Sequence, residues 1–353
     1  MKREEDLENE LDNGEGSEEL YERLTLVVDK GQEPLRIDKF LMNRIEGATR
    51  NKVQQAIEGG MVLVNGKVIK SNYKIRPRDE IIVYSDNSPV STEIVPEALS
   101  LNVVYEDEDV VVINKPAGMV VHPGCGNYNG TLANGIAFHL QQQNPEITEN
   151  NLPRFGMVHR IDKNTSGLLV LAKSEKAAVD LANQFFDHTV DRLYTALVWG
   201  DFNEDSGTIR AHVGRHQRFR KIMDAYPDGE YGKDATTHYT VLERFGYTTL
   251  VECKLETGRT HQIRVHMQHI GHPLFNDDTY GGDKIVKGTV FSKYKQFVEN
   301  CFAICPRHAL HARTLGFTHP RTRKRMQFEC ELPADMKALV EKWRSYIQAR
   351  VST

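Results

Sequence analysis

The alternation of apolar and polar positions divides the chain into two regular stretches separated by a polar segment. Residues 24–28 are apolar and strand-like, and a turn follows at Gly31. Leu35, Ile37, Phe40, Leu41 and Ile45 then recur at helical spacing and predict a helix with one buried face. A second helix is expected over residues 50–58. Thr49 is its N-cap, Val53, Ala56 and Ile57 face inward, and Gly59-Gly60 ends it. Residues 61–69 read as two strands joined at Asn65-Gly66, a dipeptide suited to the left-handed angles of a two-residue hairpin. Ile75, Pro77, Asp79 and residues 81–83 close this module with a turn and a last strand.

Residues 85–99 carry Pro89 and Pro96 among small polar residues and read as a linker, with a domain boundary near residue 90. Two strands separated by an acidic turn are expected over residues 103–113. An extended piece follows to residue 123, then a helix over 131–139 capped by Thr131 or Asn129, then a polar loop over 140–153. Residues 157–173 change character abruptly, from a polar run between His159 and Ser166, through Gly167, to the apolar run 168–172, read as a buried strand. A helix begins at Ser174 and runs through Ala178, Leu181 and Phe185. Residues 192–200 form a strand with alternating faces. Residues 205–235 are polar, basic and glycine-bearing and read as a long mobile loop at a binding surface. Strands are expected at 238–242 and 248–255, a helix at 260–271, strands around 302–309 and 327–331 with 311–317 between them, and a final helix at 334–347. Strands and helices mix without a βαβ rhythm and without internal repeats, which fits an α+β fold.

Charge changes this picture at one end. Among residues 1–20, nine are acidic and two basic, a net of −7; the whole chain of 353 residues carries −4, so the remainder carries +3. The acidic segment is expected to be disordered and self-repelling, and the mildly basic remainder is compatible with a polyanionic partner. No run of about 18 apolar residues predicts a transmembrane helix, and no basic n-region precedes an apolar core. Five cysteines, of which only Cys301 and Cys305 lie close together, fit free thiols in a reducing compartment better than a zinc site. A cytoplasmic protein without membrane contact is expected.

Few residues offer chemistry. No phosphate-binding P-loop is present. Asp277-Asp278 is an isolated acidic pair without calcium-loop spacing, and His266 and His269, three apart on the helix that also carries His261, lack an acidic third ligand, so no metal is expected. Asp162, flanked by Arg160 and Lys163 in the polar run, remains. Its residue type allows a nucleophile, a base or a structural ion pair.

Two resemblances decide among these. Residues 36–41 (Arg-Ile-Asp-Lys-Phe-Leu), Arg50, Gln54, Ile57, Gly60, the 62–66 hairpin and Pro77-Arg78-Asp79 resemble the S4 RNA-binding domain. That resemblance implies that Arg36, Lys39, Arg50, Lys52 and Gln54 present basic and polar groups to RNA phosphates, positioning the backbone rather than reading bases. Residues 159–168 (His-Arg-Ile-Asp-Lys-Asn-Thr-Ser-Gly-Leu) resemble the signature of the RluA-type pseudouridine synthases. Residues 114–118 with His122-Pro123, residues 194–200, residues 256–266 and residues 307–312 agree in order. The arrangement, and Thr237-His238-Tyr239, is most like the D-type large-subunit rRNA synthases. The resemblance implies a pseudouridine synthase fold, with a mixed, largely antiparallel sheet flanked by helices. With the acidic tail at 1–20 and the linker at 86–99 read from composition, it places the S4-like domain at 33–85 and the catalytic domain at 100–350. It implies Asp162 as the catalytic carboxylate, Tyr194 as the residue stacking on the base and a candidate general base, and Arg264 as the partner of Asp162. Arg160 would help to flip the uridine, and His159, Arg259, His261 and Gln262 would lie at the RNA. Ile161 and Arg192 stand where leucine and lysine are commoner. No cofactor is implied, and the expected partner of a monomer is ribosomal RNA or the pre-ribosomal large subunit. The rivals are the same chemistry on transfer or other RNA, a non-catalytic RNA-binding assembly factor, and a hydrolase using Asp162 as nucleophile.

Overall fold

A computed structural model describes residues 21–45, 50–85, 94–124, 127–219, 222–289 and 291–351. The acidic segment 1–20, the Thr49 cap and most of the linker before residue 94 lie outside them. The described residues separate into two compact units, one drawn from the ranges 1–93, 124–128 and 215–223, the other from 94–123, 129–214 and 224–353.

In the first unit, β1 (Tyr21–Val27) precedes α1 (Ile37–Met42) and α2 (Arg50–Glu58), followed by β2 (Val62–Val64), β3 (Lys67–Val68) and β4 (Glu80–Ser85). The strands form an antiparallel sheet in the order β1-β4-β2-β3. Asn65 and Gly66 take φ of 50° and 73°, the left-handed pair that the hairpin requires. Ile37, Phe40, Leu41, Val53, Ile57, Ile75 and Ile81 fill the core between helices and sheet. Ile45 lies beyond the end of α1 and, like Ala56, is only partly buried.

The second unit carries β5 (Val103–Glu106), β6 (Val110–Lys115), α3 (Leu132–Gln143), β7 (Ser166–Ala172), α4 (Glu175–Phe186), β8 (Asp191–Trp199), β9 (Ser206–Arg210), all but one end residue each of β10 (His212–Arg215) and β11 (Met223–Tyr226), β12 (Thr236–Arg244), β13 (Thr248–Leu255), α5 (Gln262–His269), α6 (Ser292–Ile304), β14 (Leu310–Thr318), β15 (Arg325–Glu329) and α7 (Ala334–Val351). Among the described residues, nine strands make one sheet in the order β5-β6-β7-β14-β8-β13-β12-β9, with β15 added to β14. Its pairings are antiparallel except β7–β14. Neighbouring residues of the central strands point to opposite sides. Val111, Ile113, Leu169 and Leu171 pack with α3, whereas Val110, Val112, Leu168 and Val170 pack with α4. α6 and α7 close a third cluster around Trp199, Phe275 and Trp343.

Four expectations are corrected. Residues 205–235 are not one loop; β9, β10 and β11 lie there, and β9 pairs with β12. Their glycine and charge content hid strands of only four or five residues. The apolar run at 301–304 is helical, with Tyr294, Val298 and Cys301 of α6 on one buried stripe. The strand expected there is instead Leu310–Thr318, in the stretch read as a connection. β8 is buried on both faces from Tyr194 onward because it lies inside the sheet, between β13 and β14, so the expected alternation is lost. α3 runs on to Gln143, beyond its expected end at 139.

Candidate active site

The polar run 159–165 leads into β7, whose seven residues are all buried. Close approach fixes the junction. A Cβ on Gly167, at φ 121°, would fall 2.2 Å from the Ala312 carbonyl oxygen of β14. Ahead of it, the Thr165 amide donates to the Asp162 carbonyl at 3.0 Å and closes a turn that holds Asp162 at the strand entrance.

Asp162 Oδ2 accepts a hydrogen bond from Arg264 Nη1 at 3.1 Å, and the carboxylate side chain keeps 21% of its surface exposed. The Arg264 guanidinium is nearly buried. Its Nε and Nη2 donate to the two oxygens of Asp277 at 2.8 and 2.9 Å, a bidentate pair. Asp277 is fully buried and also accepts from the Thr279 and Tyr280 amides. One guanidinium thus serves two carboxylates, one enclosed and one reachable, and the triad carries a net negative charge.

Burial pushes the Asp162 carboxyl up. The positive groups around it, His261, Arg264 and His308, outweigh that and hold it well below the usual carboxylate range. The two histidines are themselves pushed down to about 4 by burial, so of these three groups Arg264 carries the positive charge at neutral pH. At 3.1 Å and an effective dielectric near 20 the attraction is on the order of 5 kcal/mol before desolvation is subtracted. Asp162 is therefore ionised wherever the protein is folded at neutral pH.

Tyr194 of β8 is buried. Burial raises its pKa, and Asp162 adds to the rise while Arg192 opposes it. It lies within electrostatic reach of Asp162 and keeps its phenolic proton. His261 caps α5 from a left-handed conformation, φ 56°. Its Nδ1 lies 2.8 Å from the Tyr280 hydroxyl, and its Nε2 lies 3.9 Å from Asp162 Oδ2. The fold thus brings residues 32 to 146 positions away in sequence to one carboxylate.

The sequence around this carboxylate matches the RNA pseudouridylate synthase family model over residues 109–269, and residues 35–81 match the S4 domain. An RNA pseudouridine synthase of Chlorobaculum parvum is 46% identical over 330 residues, covering 93% of this chain and 100% of that protein. The chain belongs to the RNA pseudouridylate synthase family. It is an isomerase acting on RNA, with an S4 RNA-binding domain ahead of its catalytic domain. The ribosomal large subunit pseudouridine synthase D of Nitrosomonas europaea is 39% identical, covering 96% of this chain and 92% of that one. Human RNA Pseudouridylate Synthase Domain Containing 4 shares the fold at a TM-score of 0.54 and 24% identity, over 69% of this chain and 93% of its own.

Several residues that support the synthase site went unassigned in the sequence. Asp277 looked like half of an isolated acidic pair and is the buried anchor of Arg264. Lys115 is fully buried, and its Nζ donates to the carbonyls of Pro116, Met119 and Lys163 at 2.8, 2.8 and 3.0 Å, tying residues 116–119 to the Asp162 loop. Arg307 binds Asp335 at 2.7 Å and the Asn164 carbonyl at 2.9 Å, and His308 Nε2 lies 2.9 Å from Thr165 Oγ1. Lys115 and Arg307 lie next to Pro116 and His308 in segments that matched the family, but only their burial reveals what they hold.

The other expected RNA contacts divide. Arg160, two residues before Asp162, is half-buried, and His159 is buried. Arg259 is half-exposed and donates to the Asp234 carbonyl. Gln262 is buried and its amide is spent on Thr257, Arg259, Thr236 and Thr237, which leaves no group for RNA. His266 has both ring nitrogens engaged, by Thr237 and the Ala211 carbonyl. In the S4 domain, Lys39 and Lys52 are exposed. Arg36, Arg50 and Gln54 instead converge on the fully buried carboxylate of Asp38, at 2.9 to 3.2 Å. Arg36 and Arg50 still expose 37% and 49% of their side chains, so each can offer its outer edge to a phosphate.

Proposed function

We propose that this synthase converts specific uridines of large-subunit ribosomal RNA to pseudouridine, with Asp162 as the catalytic carboxylate. The observation that carries the assignment is the ionised, partly exposed Asp162 held at 3.1 Å by a guanidinium that Asp277 locks in place. Breaking N1–C1′ and joining C5 to C1′ removes a proton from C5 and returns one to N1, so atoms and charge balance without a cofactor. An ionised carboxylate serves whether it adds to the nucleoside or removes a sugar proton. Tyr194, protonated and buried, offers an aromatic face for the extruded uracil. Such stacking returns roughly 1–3 kcal/mol against an extrusion cost of a few. Arg160, beside Asp162, fills the place the uridine leaves.

The ribosomal target rests on the similarity to large-subunit synthases over nearly the whole chain, S4 domain included. Cytoplasmic action as a monomer on the assembling subunit completes the reading. Pseudouridine mapping of ribosomal and transfer RNA from a deletion strain and its parent tests the target. Loss at large-subunit positions supports it, and loss confined to transfer RNA contradicts it.

A further inference from the structure

Arg192 stands two residues before Tyr194 on the same face of β8 and is only 9% exposed. Among the described residues its guanidinium has no hydrogen bond or ion pair, and its Nε is enclosed without an acceptor. It lies over the Phe185 ring, 5.3 Å from the centroid, and against Gly258, where an added Cβ would fall 2.8 Å from Nη1. A guanidinium keeps its charge even here, and burying it unpaired is costly unless an anion joins it. The phenyl face offsets part of that cost but supplies no lone pair for the N–H groups.

His159 is 9% exposed and stacks on the same Phe185 ring at 4.3 Å. Its Nε2 accepts the Val170 amide at 3.0 Å, so the proton of the neutral ring sits on Nδ1, and Nδ1 is buried without an acceptor among the described residues. Two enclosed donors, one of them cationic, therefore surround one phenyl ring beside Tyr194. Among the acceptors RNA offers, phosphodiester oxygens carry the negative charge that a buried guanidinium requires.

We propose that Arg192, with His159 Nδ1–H as a second donor, forms a phosphate subsite that grips the RNA backbone next to the nucleotide at Tyr194. This rests on the reading of Asp162 and Tyr194 as the reaction centre. The spacing of two strand residues, about 6.7 Å, puts the phosphate within one nucleotide of the base. Gly258 leaves the guanidinium its place, so a side chain there would displace it.

The test uses the full chain in an Asp162→Asn background, with transcripts of a large-subunit rRNA segment and of a transfer RNA. Arg192→Met should weaken binding of both about ten-fold and reduce the slope of log K against log salt by about 0.7 to 0.9, the signature of one lost phosphate contact. Arg192→Lys should keep the slope. The urea midpoint of Arg192→Met should equal or exceed that of the parent, because an unpaired buried charge has gone. An unchanged slope, or an affinity loss matched by a lower urea midpoint, overturns the subsite. Absence of preference for the rRNA transcript in the parent would count against the ribosomal target instead, and the slope comparison would stand.

Discussion

Asp162 and Asp277 show how neighbours divide two carboxylates around one arginine. Arg264→Met removes the bidentate partner of a fully buried aspartate. It should destabilise the protein by about 3–5 kcal/mol in urea unfolding. It also removes the cation that offsets burial at Asp162, so the Asp162 pKa should rise. The acid limb of kcat/KM should then move to higher pH than in the wild type, where it lies below the usual carboxylate range. An acid limb that stays in place would show that Arg264 does not set the charge of Asp162. Asp162 could be singled out from its sequence neighbours by resemblance. Asp277 could not, because its importance comes from complete burial against a side chain 13 positions away on another element.

At the scale of elements, loops placed by buried polar ties do most of the positioning. Thr165 joins the Asp162 turn to His308 at the entrance to β14. Thr165→Val keeps the shape and removes the tie, and should lower kcat several-fold with little change in RNA affinity, measured by steady-state kinetics and equilibrium binding. In the S4 domain, Asp38→Asn leaves Arg36, Arg50 and Gln54 with a weaker acceptor. It should cost on the order of 1–3 kcal/mol of stability and reduce RNA affinity without changing kcat. Both helices of that domain and its hairpin were legible because their apolar periodicity and the Asn65-Gly66 turn agree locally. β9, β10 and β11 were not, since their pairing is set by partners distant in sequence and their own residues are polar and short-ranged in pattern. β14 was displaced for a similar reason. The apolar residues of α6 imitate a strand over the few positions before it.

At the scale of the whole molecule, burial keeps five enclosed histidines neutral. His122 and His159 are pushed down to about 3, and His261, His308 and His311 to about 4, each chiefly by burial. An unfolded histidine binds its proton near pH 6.5, so between that value and about pH 4 the unfolded chain holds more protons than the folded one. Stability contributed by these groups is complete above pH 6.5 and falls as the pH drops through that window. Urea midpoints should decline steeply there, before most carboxylates titrate, and a flat profile between pH 6.5 and 5 would contradict it. The overall α+β architecture followed from the mixture of elements. The way the chain brings Asp162, Arg264, Asp277 and Tyr194 together follows from a strand order that sequence periodicity does not encode. The most direct measurement is pseudouridine mapping of ribosomal RNA in a deletion strain carrying either the wild-type chain or Asp162→Asn. Wild type should restore pseudouridine at large-subunit positions while Asp162→Asn, folded and RNA-binding, restores none; restoration by Asp162→Asn would contradict its role as the catalytic carboxylate.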